Sequence, residues 1–151
     1  MREILFRGKR IDDYVNDKSI DYAEKGAREW AYGDIIHRRY YKNKDVVVIR
    51  TEDSGFDNYS DYEVDPSTIG QYTGLTANGK KIFEGDIVKV TGLYPDRDGE
   101  KRIWRRFRVG EVFYYHGAFY FDKWLLCKTS EKCLEIIGNI HDNPELLEDK
   151  P

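Results

Sequence analysis

The sequence predicts a mainly β protein, and three observations carry the prediction. Short runs rich in β-branched and aromatic residues recur along the chain, each closed by turn residues. Helical periodicity is almost absent. Between two of the runs sits Asn78-Gly79, a dipeptide that tolerates positive φ at both positions and so marks a tight hairpin. The architecture expected from these signals is an N-terminal β-hairpin region, then an SH3-like small β-barrel, then a short C-terminal helix. Residues 1–66 would form the hairpin region with an acidic loop, and residues 67–151 the barrel-like domain. One continuous domain over 1–151 is the other organisation that the length allows.

The elements follow in order. Arg2 to Arg7 opens as a strand, with Ile4 and Phe6 on one face and Leu5 on the other. Gly8 and Asp12-Asp13 punctuate it. Residues 16–29 are polar and weakly helical, and Gly26 breaks the pattern, so a long hairpin loop is expected. Glu29 to Ile36 resumes the sheet, and Arg38 to Tyr41 carries on as a polar, aromatic strand. Asn43-Lys44-Asp45 reads as a turn. Asp45 to Arg50 is the most β-branched run in the chain. Thr51 to Pro66 is expected to be a loop or a connection between lobes.

Beyond Ser67 the signals sharpen. Thr68 to Thr73 alternates as a short strand, and Gly70 to Leu75 reads as a turn leading into the Asn78-Gly79 hairpin. Lys81 to Phe83 and Asp86 to Val90 are strands, and Gly92 to Glu100 is a polar turn. Ile103 to Tyr115 alternates in its first half. His116-Gly117 is a second tight turn, Ala118 to Phe121 returns, and Lys132 to Ile140 is the last strand. Asn143 as N-cap, Pro144 at the first position and Glu145 beside it predict the short helix. A small pattern recurs at Gly33-Asp34, Gly85-Asp86, Gly110-Glu111 and Gly138-Asn139. It fits strands that begin or bend at a glycine and is too short to be a repeat.

Composition narrows the function classes. The chain has 25 basic and 28 acidic side chains, a net charge of −3, and 15% aromatic residues. It is not uniformly basic, as a strongly nucleic-acid-binding domain would be, and its aromatic content argues against disorder. No run of apolar residues is long enough to span a membrane, and the charged N-terminus does not read as a signal peptide. A cytoplasmic setting is expected. Cys127 and Cys133 then read as two free thiols, and the three scattered histidines give no metal site. Neither a cofactor motif nor a catalytic one occurs, so neither a cofactor nor an enzyme is expected.

Charge is nevertheless segregated. Glu52, Asp53, Asp57, Asp61, Glu63 and Asp65 lie in a stretch without a single Lys or Arg. It reads as a solvated loop, a cation site or a contact for a basic partner. Arg97, Lys101, Arg102, Arg105, Arg106 and Arg108 form a basic stretch against Asp98 and Glu100, interleaved with Trp104 and Phe107. Basic side chains neutralise phosphates and aromatic faces stack bases. The same pattern also suits the polar face of a strand, a protected sheet edge, or a surface that meets the acidic stretch.

Three blocks carry a family resemblance. The opening Arg2 to Arg10, together with Glu29-Trp30-Ala31-Tyr32-Gly33-Asp34, resembles the start of YopX-like proteins. So do Ile69 to Leu75 with Asn78 to Val88, and the ending Ile137 to Leu147. Residues 16–28 look like an insertion in the family's first hairpin. The resemblance implies a small bacteriophage or prophage product, largely of Gram-positive hosts, with a β-rich fold whose C-terminal part is barrel-like. The family's biochemical role is unassigned and no catalytic residue carries over.

The leading expectation is a phage-encoded β protein in the host cytoplasm, acting through protein–protein contacts and as a homo-oligomer. The alternative is a nucleic-acid-binding module that uses residues 97–108. A metal-dependent hydrolase built on the acidic loop is the third reading.

Overall fold

In a computed structural model, the structure describes residues 3–11, 29–40, 44–52, 59–90, 93–95, 101–103 and 108–148. The protein is mainly β. Two antiparallel sheets of six and five strands carry the described residues, which include no α-helix. The chain divides into two units, residues 1–71 and 72–151.

The first unit begins with β1 (Phe6–Lys9), β2 (Trp30–Tyr40), β3 (Lys44–Glu52) and β4 (Tyr59–Glu63). These strands pair in chain order as an antiparallel meander. Its core holds Ala31, Val47, Ile49 and Val64, with Phe6, Ile35, Tyr62 and Ile69 packed against them. Alternation along β3 places Val47 and Ile49 on that side and Arg50 on the other. A single antiparallel bridge, Arg10 to Val64, brings the end of β4 back against the residues after β1. Two hydrogen bonds flank it: Ile11 N–H donates to the Glu63 carbonyl (3.0 Å), and Asp65 N–H to that of Lys9 (2.9 Å). A 3-10 turn at Pro66–Thr68 then leads into β5 (Gly70–Ala77), whose first two residues pair with β1.

The second unit contains β6 (Lys80–Phe83), β7 (Asp86–Val90), β8 (Leu93–Pro95), β9 (Lys101–Ile103), β10 (Arg108–Tyr115), β11 (Ala118–Phe121), β12 (Trp124–Leu125) and β13 (Leu134–Asn139). Hydrogen-bonded neighbours run β4-β3-β2-β1-β5-β6 in the larger sheet and β12-β11-β10-β7-β13 in the smaller, with β8-β9 as a separate hairpin. The core of this unit is Ala77, Ile82, Val88, Val90, Val112, Phe121, Leu126 and Leu134. Ala77 and Ile82, from the β5–β6 hairpin, thus pack with one face of the five-stranded sheet.

Several expectations need correcting. Among the described residues no closed barrel forms: the five-stranded sheet is an open ladder with β12 and β13 at its edges. The C-terminal helix is a four-residue 3-10 turn, Pro144–Leu147, rather than an α-helix. Asn143 precedes it with Pro144 at its start, but the Asn143 side chain does not cap it; its Oδ1 accepts from Asn139 N–H at 3.3 Å. Gly8 lies inside β1, paired with Ala31, rather than ending it, and a Cβ there would come within 2.9 Å of the Val64 side chain. Lys44 and Asp45, expected in a turn, belong to β3, and Asn43 lies outside the described residues. The acidic stretch contains strand β4 rather than being loop throughout. Gly70 to Leu75 lies in β5, where Gly74 has a φ of 84° at an irregularity in the pairing with β6. The Thr73 hydroxyl holds that irregularity, donating to the Ile82 carbonyl (2.9 Å) and accepting from Leu75 N–H (3.2 Å). The expected hairpin loop within 16–29 falls almost wholly outside the described residues.

Both predicted tight turns form. Asn78 and Gly79 have φ of 50° and 82°, and His116 and Gly117 have 46° and 87°. Positive φ at both central positions is the hairpin geometry that Asn-Gly favours, and glycine enters it without strain.

Candidate functional site

The acidic stretch is engaged within its own unit. Asp61 stands opposite Arg50 in the β3–β4 register. Its Oδ1 accepts from Arg50 Nε at 2.8 Å, and its Oδ2 from Arg50 Nη2 at 3.0 Å. Arg38 of β2 donates to the same Oδ2. The Arg50 guanidinium lies 3.8 Å from the ring centre of Tyr59, so one cation closes a stack and a forked ion pair together. Hydrogen bonds from Arg50, aided by the charges of both arginines, hold the Asp61 carboxyl below its ordinary value. The same bonds raise Arg50. Asp65 instead caps the 3-10 turn, where its Oδ1 accepts from Ser67 N–H (3.0 Å) and Ser67 Oγ (2.8 Å). Glu63 is half-buried on β4, and Glu52 is exposed at the end of β3. Asp53 and Asp57 lie outside the described residues.

The basic stretch is divided. Lys101 and Arg102 sit on β9, paired with Pro95 and Tyr94 of β8. Arg108 opens β10 opposite Val90. Arg97, Trp104, Arg105, Arg106 and Phe107 lie outside the described residues.

A further surface is not among those the sequence predicts. In the β10–β11 hairpin the pairs are Val112–Phe121, Phe113–Tyr120, Tyr114–Phe119 and Tyr115–Ala118. Val112 and Phe121 are buried in the core, so Tyr114 and Phe119 continue that face towards the turn. Their rings meet edge to face at 5.4 Å. On the opposite face Phe113 and Tyr120 stack at 5.9 Å, and Tyr115 meets Tyr120 at 6.2 Å. Tyr114 is 58% exposed, Tyr115 57% and Trp124 of β12 42%. The signal in the sequence is Phe113-Tyr114-Tyr115, three consecutive aromatics in a strand. Alternation sends them to both faces, and one core cannot bury both.

Other groups are structural or isolated. Asp86, 2% exposed, accepts from Phe83 N–H at 2.8 Å and so braces the Glu84-Gly85 turn. A hydrogen bond from the Thr76 side chain, and then one from Gly79 N–H at 2.9 Å, draw the Glu131 carboxyl below its ordinary value. Cys127 is exposed and Cys133 half-buried, and both are free thiols. Among the described residues no three His, Cys, Asp or Glu side chains group as a metal site, and no helix is long and apolar enough to cross a membrane.

Comparison with known proteins bears on the central blocks. The family model described as YopX protein matches residues 21–148, which include Glu29–Asp34, Ile69–Val88 and Ile137–Leu147. The chain belongs to the YopX family. The opening block of this YopX chain, Arg2 to Arg10, lies before the matched residues, and part of the segment read as an insertion lies within them. No curated protein matches. Among solved structures, the crystal structure of protein EF1440 from Enterococcus faecalis is similar at 24% identity, covering 97% of this chain and 99% of that one, with a TM-score of 0.47. Within the YopX chain, the core of the second unit draws Ile82 and Val88 from the family's central block.

Proposed function

We propose that this YopX protein is a phage-encoded, non-enzymatic protein of the host cytoplasm that works through protein–protein contacts, beginning with self-association. The observation that carries the reading is the core-side face of the β10–β12 region. There Tyr114 stands 58% exposed with the Phe119 ring edge to face against it, and Trp124, opposite Phe121 in the register, is 42% exposed. Amphipathic aromatics grouped on one surface are the residues that protein contacts use most. Pairing of the acidic stretch with the basic stretch of a neighbour is the weaker drive, since Asp61 already holds two arginines and Asp65 caps a turn.

Light scattering at low and high salt tests this. The expected mass exceeds one chain and persists at high salt, because aromatic burial is not screened as ion pairs are. Tyr114→Ser with Trp124→Ser should return the mass to a single chain. A monomer for the unmodified protein at both salt levels would remove the proposal.

A further inference from the structure

We propose that Asn78 is a deamidation site whose conversion Glu131 holds back. This is independent of self-association, which uses the Tyr114 face. Asn78 is the one asparagine in the sequence that a glycine follows. It is exposed in the tight turn between β5 and β6, with a φ of 50° before a Gly79 φ of 82°. No side chain shields the Gly79 nitrogen, and a Cβ built there would meet nothing within 4 Å. Glu131, which opens the 3-10 turn Glu131–Cys133, engages that nitrogen. Its carboxylate accepts from Gly79 N–H at 2.9 Å and also from the Thr76 side chain.

The chemistry needs only the two turn residues and water. The Gly79 amide nitrogen loses its proton, and its electron pair bonds to Asn78 Cγ. The carboxamide nitrogen leaves with a proton as ammonia, and a cyclic imide closes. Water then opens the ring at either carbonyl, leaving aspartate or its isomer linked through the side chain. The Glu131 contact opposes the first step. To react, the nitrogen must abandon a hydrogen bond to a charged acceptor. It must also take on negative charge beside a carboxylate that already carries one. The carboxylate is itself a poor base, because the same two hydrogen bonds draw it below its ordinary value, so it does not take the amide proton. Conversion then puts a new carboxylate one residue from the amide that Glu131 holds. Repulsion between them loosens the link from the hairpin to the 3-10 turn. That hairpin supplies Ala77 and Ile82 to the core of the second unit, so the loosening reads out as lower stability.

The test is peptide mapping by mass spectrometry of the full chain, aged in warm, mildly alkaline buffer. Conversion at Asn78 appears as the mass gain of an amide turned to an acid. It should be slow in the folded protein and fast in guanidinium chloride, where Glu131 no longer meets the turn. Glu131→Ala should speed the folded protein's conversion about fivefold, the scale of one exposed hydrogen bond to a charged group. Glu131→Gln, which keeps an acceptor without the charge, should speed it less. Neither variant should alter the rate in guanidinium chloride. Val112→Ala, which weakens the core and leaves Glu131 in place, should leave the folded rate unchanged. Asn78→Asp, which reproduces one product, should lower the urea midpoint, and adding Glu131→Gln should recover part of that drop. Equal rates in the folded and denatured protein, an unmoved folded rate in Glu131→Ala, or an equal rise in Val112→Ala would each overturn the proposal. An Asn78 that stays intact in guanidinium chloride would overturn it as well.

Discussion

At Gly33 the backbone leaves no room for a side chain. A Cβ there would lie 1.9 Å from the carbonyl oxygen of Arg50 and 2.7 Å from its carbonyl carbon. Both are backbone atoms in the β2–β3 ladder, and neither can swing away. Gly33→Ala should therefore cost about 3 kcal/mol or more, read as a lower urea midpoint. Gly138 answers to a different neighbour: its Cβ would meet Asn143 Oδ1 at 2.6 Å, where the 3-10 turn packs on the bulge of β13. The recurring glycine-led pattern thus reflects separate local demands rather than one repeated unit. Asp86 is a second point of strict requirement. Its buried carboxylate is the acceptor for Phe83 N–H, and Asp86→Ala should cost about 2 kcal/mol by leaving that donor unpaired. Asp61 gives a pH-dependent case. Its folded carboxyl is held below the ordinary value of 3.8, so its contribution is fully present above that value. It is lost as pH falls through the lower folded value. The stability gap between the unmodified protein and Asp61→Asn should be constant from pH 7 to about 5 and narrow in strong acid. A gap that widens on acidification would contradict the geometry.

Among the elements, the β10–β11 hairpin joins core and surface most directly. Phe121 is 1% exposed at the centre of the second unit's core, and Phe121→Ala should cost about 3–5 kcal/mol. Gly117, with a φ of 87°, sets the turn; Gly117→Ala should cost about 1 kcal/mol, measurable by thermal melting. Elements of this kind are legible because their signals are local. Asn78-Gly79 and His116-Gly117 specify tight turns through their own φ preferences, and the Val46 to Ile49 run is strand by composition. Strand β4 is not legible, because six carboxylates without a counter-charge read as solvated loop. What makes it a strand is Arg38 and Arg50, which arrive from β2 and β3 only once the sheet has formed. Open or closed sheets are illegible for a related reason: strand count and turn spacing are the same for both, and closure depends on which edges meet. The aromatic surface of the β10–β11 hairpin is hidden in the sequence because Trp104 and Phe107, set among charges, give the stronger local signal. The deciding property is the exposure of Tyr114 and Tyr115 beyond the end of a core, which only the folded sheet defines.

For the whole molecule, near-balance of charge has a direct solution consequence. With 25 basic and 28 acidic side chains and a pI near 5.7, electrostatic repulsion between copies vanishes in mildly acidic buffer. Exposed aromatic surface then meets no opposing force, and turbidity should peak near that pH and fall on either side. Tyr114→Ser with Trp124→Ser should reduce the peak, whereas a purely charge-driven peak would be unmoved. The bridge between Arg10 and Val64 reaches further still. It ties together residues far apart in the chain, joining the residues after β1 to the end of β4. Joining such distant positions carries a loop-closure entropy that no local contact offsets. The amides of Ile11 and Asp65 thus become reporters of completion. In a pulse-labelling experiment during refolding they should gain protection later than the ladder amides of Val48 and Ile49, which makes this bridge the final clasp of the first unit.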